Sequence, residues 1–135
     1  MHKQNKSINS DFELVFSNVS DKLIGLKGKT ILITGGTGFI GCWLSELVYY
    51  LNVKHSMSIK LIIVARNYDS FKIKLPHLID SNFFQFIPSD IRNLTEVPAE
   101  VDYIIHAANS PDNRFHSSRP FENMTTVAEG MGALI

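Results

Sequence analysis

The run from Lys29 to Gly41, K-T-I-L-I-T-G-G-T-G-F-I-G, constrains the fold more than any other stretch of the chain. Thr30 to Thr34 is β-branched and apolar, the composition of a strand buried on both faces. Gly35, Gly38 and Gly41 follow it directly, spaced G-x-x-G-x-x-G. Apolar residues then recur at helical spacing: Phe39, Ile40, Trp43, Leu44, Leu47, Val48 and Leu51. Strand, glycine turn and helix make the opening unit of a dinucleotide-binding α/β fold. Gly35 suits the sharp strand-to-helix turn, Gly38 leaves room for a pyrophosphate, and Gly41 lets the first helix pack closely on the strand. The N–H groups and positive dipole end of that helix face the phosphates, so Phe39 and Ile40 join the glycines as candidate cofactor contacts. A glycine-rich turn that binds nothing has the same letters, but here both flanks fit a ligand site. A Walker-type phosphate loop is disfavoured, because no Gly-Lys-Ser/Thr follows.

The length of 135 residues allows one domain. Thirteen Lys and Arg balance thirteen Asp and Glu, so bulk charge offers no case for nucleic acid or an anionic membrane. The single Cys42 excludes an intramolecular disulfide and a Cys-rich zinc site. The N-terminus is polar and leads to no apolar signal core, and no apolar run reaches membrane-spanning length, so a cytoplasmic location is the expectation.

Residues 1–10 read as a polar, disordered tail. Phe12, Val15, Phe16, Val19, Leu23 and Ile24 then recur at helical spacing as a leader helix, so that 1–26 precede a domain spanning 27–135. Ile59 to Ala65 is a second strand. An adenosine ribose sits at that strand's end in this fold, where an Asp or Glu selects NAD. Here Ala65 is followed by Arg66 and Asn67, which favours NADP over NAD, with Arg66 on a 2′-phosphate. Asp69 to Leu78 reads as a short irregular helix ending near Pro76, and Phe83 to Ile87 as a third strand. Asp90 suits an N-cap for a turn over residues 93–97. Val101 to Ala108 is a fourth strand with its exit, where the small Ala107 and Ala108 let a cofactor approach the backbone. His106 at the strand end reads as a hydrogen-bonded structural residue. Asn109 to Pro120 is polar and turn-rich, at the place of a substrate-facing loop. Ser118 reads as the N-cap of a last helix with Phe121, Met124, Val127, Met131 and Leu134 in one stripe.

The string T-G-G-T-G-F-I-G, Thr34 to Gly41, resembles the extended short-chain dehydrogenase/reductases, the NAD(P)-dependent epimerase/dehydratase group acting on nucleotide sugars. The resemblance spans roughly residues 27–135. It implies that Asp90 and Ile91 belong to the group's G-D-hydrophobic-R/T segment, with Asp90 at the adenine amino group and Ser89 in place of the usual Gly. It also matches His106-Ala107-Ala108 to an H-x-A-A signature, and Thr126 to Met131 loosely to an Asn-Val-x-Gly-Thr run. The implied fold is a Rossmann-type doubly wound parallel sheet, truncated after about four strands in the order 3-2-1-4. Such a sheet leaves the fourth strand as an open edge through which the chain could self-associate.

In the resembled enzymes a Tyr-x-x-x-Lys pair follows a fifth strand, and its Tyr takes a proton from a sugar hydroxyl while hydride passes to the nicotinamide. Tyr50 to Lys54 has that spacing, but it sits at the wrong end of the first helix. The chain therefore reads as the cofactor-binding portion of such an oxidoreductase, not catalytic alone, with a nucleotide sugar as substrate only in a full-length enzyme. The alternatives are a non-catalytic NADP-sensing module, a non-functional remnant, or half of a split enzyme.

Overall fold

Every residue of Thr30–Thr34 is buried, as is every residue but the first of the neighbouring Lys60–Ala65. The computed structural model, which describes residues 2–108 and 118–135, builds outward from these two strands. The strands β1 (Thr30–Thr34), β2 (Lys60–Ala65), β3 (Phe84–Pro88) and β4 (Tyr103–His106) form one parallel sheet in the order β3-β2-β1-β4. Among the described residues the α-helices are α1 (His2–Leu23), α2 (Phe39–His55), α3 (Tyr68–Lys74), α4 (Pro76–Ile79) and α5 (Pro120–Leu134). This is the Rossmann-like α/β sheet expected from the sequence, in the expected order. Among the described residues no helix is long and apolar enough to cross a membrane.

Side chains alternate across a strand, so β1 and β2 feed two apolar layers. Ile31, Ile33, Leu61, Ile63 and Ala65 face a layer filled by Phe12 of α1, Val48 and Leu51 of α2, Phe71 of α3 and Leu78 of α4. Leu32, Ile62 and Val64 face the other layer, closed by Ile91 and by Leu134 of α5. Each such side chain contributes about 1.5–3 kcal/mol by leaving water. Among the described residues the second layer is thinner. Along α5 only Leu134 of the expected stripe is buried, while Phe121, Met124, Val127 and Met131 are exposed. The helix instead meets the body at Gly130, where an added Cβ would lie 2.9 Å from Ile91 Cγ2 and 3.1 Å from His106 Cε1. Its N-cap is Arg119 rather than Ser118, with Pro120 in the first turn as expected. Of the loop predicted over Asn109 to Pro120, residues 109–117 lie outside the described residues.

Residues 2–10, expected as a tail, continue the leader helix back to His2. Val19, with φ −134°, breaks the helix near its end. Phe12 anchors it, its ring edge-on to Trp43 at 5.1 Å and tilted on Tyr50 at 5.5 Å. Phe16 stacks on His55 at 3.6 Å.

The end of the sheet where β1 begins is closed by polar side chains acting on backbone. Asn52 donates to the Ile59 carbonyl and accepts from the Ile59 N–H, at 2.9 and 2.8 Å, which fixes the turn from α2 into β2. Asp102 accepts from the Thr30 N–H at 2.8 Å and pairs with Lys29, so its pKa is lowered chiefly by that backbone bond. A groove of about 290 Å³ also lies at this end, lined by Thr30, Lys60, Phe83, Gln85, Pro98 and Glu100.

Phe12→Ala should cost about 3 kcal/mol of stability and shift the emission of Trp43, the only tryptophan, to the red. Chemical denaturation followed by fluorescence measures both. An unchanged midpoint and spectrum would mean that α1 is not docked on α2.

Candidate functional site

The parallel pairing brings four strand ends to one level. Thr34 stands beside Val64 on one side and His106 on the other, and Ala65 stands beside Pro88. Ladder hydrogen bonds continue past the strands: Gly35 N–H to the Val64 carbonyl, Ser89 N–H to Ala65, and Ala107 N–H to Thr34. The glycine turn, Arg66, Asp90 and Ala107-Ala108 therefore all lie at the carboxyl end of the sheet, where open α/β sheets bind ligands in a crevice.

Gly35 has φ +70°, and a Cβ there would fall 2.6 Å from the Ala107 carbonyl oxygen and 2.7 Å from Ala108 Cα. No side chain fits between the turn and the exit of β4, so the two backbones lie in contact. Gly41 is equally constrained, with the position of a Cβ 2.5 Å from the Gly35 oxygen and 2.6 Å from Gly36 Cα. The third glycine thus seats α2 against the turn itself rather than against the strand. Gly38 differs: a Cβ there would meet only the Gly35 oxygen, at 3.3 Å. It faces open space as the N-cap of α2, and no side chain caps that helix. The first-turn N–H groups, at Phe39 and Ile40, thus have no capping side chain. Such groups with a positive helix end suit an anion. Phe39 and Ile40 themselves are exposed at the mouth and take no part in the core.

Arg66 is exposed just past β2. Asp90 follows β3 and gives both oxygens to Arg92: Nε donates to Oδ1 at 3.0 Å and Nη2 to Oδ2 at 2.8 Å. Its Oδ1 also accepts from the Arg92 N–H, capping the 3₁₀ turn Ile91–Asn93 rather than the expected turn at 93–97. The Arg92 bonds lower the Asp90 pKa to about 2, with a smaller contribution from the charge of Arg66. Ile91 points into the second apolar layer at 5% exposure, so it has only its backbone to offer a ligand.

The structure places Gly35, Gly38, Gly41, Arg66, Asp90, Ala107 and Ala108 at the carboxyl end of the sheet. It adds three features that sequence reasoning missed. Gly36 is buried, with the position of a Cβ 2.3 Å from Ile63 Cγ2 on β2; the doubled glycine was the available signal. Thr34 Oγ1 and His106 Nδ1 are hydrogen-bonded at 2.7 Å between β1 and β4, which agrees with a structural His106. Lys74 donates from Nζ to the Thr37 carbonyl in the glycine turn at 2.6 Å, a contact without local sequence signal.

The Tyr50 and Lys54 pair lies far from the crevice. Tyr50 is eleven residues beyond Phe39 on α2, roughly 16 Å along the helix, and buried against Phe12. Burial raises its pKa, the opposite of what a phenol acting as a base requires. Among the described residues no group of His, Cys, Asp and Glu could hold a metal ion.

Residues 31–135 match the sequence profile of the NAD dependent epimerase/dehydratase family. Several solved structures share the fold, among them the following three. Pen from Bacillus thuringiensis is 27% identical, with a TM-score of 0.64 over 81% of this chain and 33% of its own. The Bordetella bronchiseptica enzyme WbmF, solved in complex with NAD+ and UDP, is 23% identical, with a TM-score of 0.62 over 82% and 33%. UDP-glucuronic acid 4-epimerase from Bacillus cereus, in complex with UDP-glucuronic acid and NAD, is 24% identical, with a TM-score of 0.59 over 77% and 35%. The chain spans about a third of the length of each. A search of curated proteins found no significant match.

The Asp90–Arg92 pair makes a pH prediction. The folded pKa of about 2 lies below an unfolded value of about 3.9. The pair therefore stabilises the fold above about pH 4, and that contribution fades as pH falls towards 2. In Arg92→Gln the Asp90 carboxyl midpoint, followed by carbon NMR, should rise towards the ordinary carboxylate range. An unmoved midpoint would show that Arg92 does not hold the charge.

Proposed function

The chain belongs to the NAD dependent epimerase/dehydratase family, and from that premise we propose that it forms the dinucleotide-binding portion of an oxidoreductase that acts on a nucleotide sugar. The observation that carries the reading is the state of the glycine turn. Gly35 and Gly41 are filled by neighbouring backbone, while Gly38 alone opens on space beside uncapped N–H groups. That is the shape of a cradle for a pyrophosphate.

In this reading the first turn of α2, at Phe39 and Ile40, holds the pyrophosphate by its N–H groups. The backbone contact of Gly35 with Ala107 and Ala108 keeps the crevice floor free of side chains, so that a ribose can lie on it. Asp90 and the backbone of Ile91 stand at the adenine, with Arg92 orienting the carboxylate and holding it ionised. Arg66 faces the adenosine ribose, where its guanidinium suits the 2′-phosphate of NADP better than the bare hydroxyl of NAD. When bound, the dinucleotide supplies the hydride acceptor. Among the described residues the crevice has no Tyr and Lys pair, so this chain should bind cofactor without turning over a sugar. A non-catalytic NADP-sensing module is the second reading, favoured by α1, whose aromatic residues tie it to the same helix that begins at the turn.

Calorimetric titration of the 135-residue chain with NADP+ and NAD+ tests the assignment. Saturable binding should vanish in Gly38→Val, whose side chain fills the cradle and whose Cβ presses only on the Gly35 oxygen, at 3.3 Å. A folded chain that binds neither dinucleotide would overturn the reading, and a preference for NAD+ would remove Arg66 from it.

The same reading includes self-association. β4 is an edge strand among the described residues, with Tyr103 at 47% and Ile104 at 39% exposure, and such edges pair with other chains. Sedimentation equilibrium should show a concentration-dependent dimer that Ile104→Lys weakens. A strict monomer at all concentrations would refute it.

A further inference from the structure

α3 leads away from Arg66 and carries Lys74, its last residue, back onto the glycine turn. There Nζ meets the carbonyl of Thr37, the residue just before the N-cap of α2. The same ammonium stands close enough to Cys42, in the first turn of α2, to draw the thiol pKa down against the larger upward effect of burial. Two cations thus lie at this end of the sheet: Arg66 directly after β2, and Lys74, from the helix that follows, on the glycine turn. We propose that Lys74 is a specificity-determining residue, the second cation for the ribose 2′-phosphate that separates NADP from NAD.

This rests on the dinucleotide reading above and extends it to a residue that no sequence motif marks. A phosphate monoester carries a charge of about −1.5 to −2 near neutral pH, more than one guanidinium balances. Part of the field of Arg66 already falls on Asp90. An ammonium has three donors in all, and the Thr37 carbonyl takes one of them. The bond to the turn also fixes where the charge sits, so little ordering remains for binding. Lys74 is exposed, so its removal leaves no cavity in the core.

Titration of the wild-type chain, Lys74→Met and Lys74→Arg with NADP+ and NAD+ decides the matter. Lys74→Met should weaken NADP+ by about tenfold and leave NAD+ nearly unchanged, while Lys74→Arg keeps most of the NADP+ affinity. The salt dependence of NADP+ binding should also flatten in Lys74→Met. An equal loss for both dinucleotides would make Lys74 only a support for the turn and overturn the inference, as would no loss for either. Wild-type preference for NAD+ would overturn it while leaving the dinucleotide site intact. Binding of neither by the folded wild-type chain would instead bring down the reading on which it rests.

Discussion

Everything at the carboxyl end of the sheet depends on backbone touching backbone around Gly35. The turn must pass between the exit of β4 and the start of α2, and both gaps are narrower than one methyl group. If either opened, α2 would tilt away from the turn on which it is seated. The burial of β1 on both faces supports this arrangement, because a strand locked in register on both sides cannot shift to relieve a clash at its end.

What was legible in the sequence was local. A β-branched run followed by spaced glycines specifies strand, turn and helix within a dozen or so residues, and β1, the turn and α2 formed as read. The order of the strands also followed, because short parallel strands joined by helices admit few right-handed windings. The leader helix was underestimated because its first residues are polar and give no apolar period, although helix continues through them. The stripe on α5 was read correctly as a pattern but not as a buried face. The helix contacts the body through Gly130 instead, a residue with no side chain to contribute to a pattern. Gly36 against Ile63 and Lys74 on Thr37 were illegible for another reason: each joins residues far apart in sequence, and nothing local encodes the pairing.

Among the described residues the two faces of the sheet are unequally clad. Four helices contribute to one layer, and α5 with the segment after β3 to the other. A doubly wound sheet gains stability from both, so the thinner side sets the weakest point of the fold.

The two ends of the strands are built on opposite chemical logics. One end is held by side chains doing a peptide group's work, Asn52 on Ile59 and Asp102 on Thr30. The other is defined by matter left out. An alanine scan, which finds binding sites by deleting atoms, would flag the first end and misreport the second. At Gly35, Gly36 and Gly41 alanine is an insertion, and its damage would be scored as misfolding. At Gly38 it would press on the Gly35 oxygen alone, at 3.3 Å. Mutational maps of such a chain mark its scaffold more readily than its crevice.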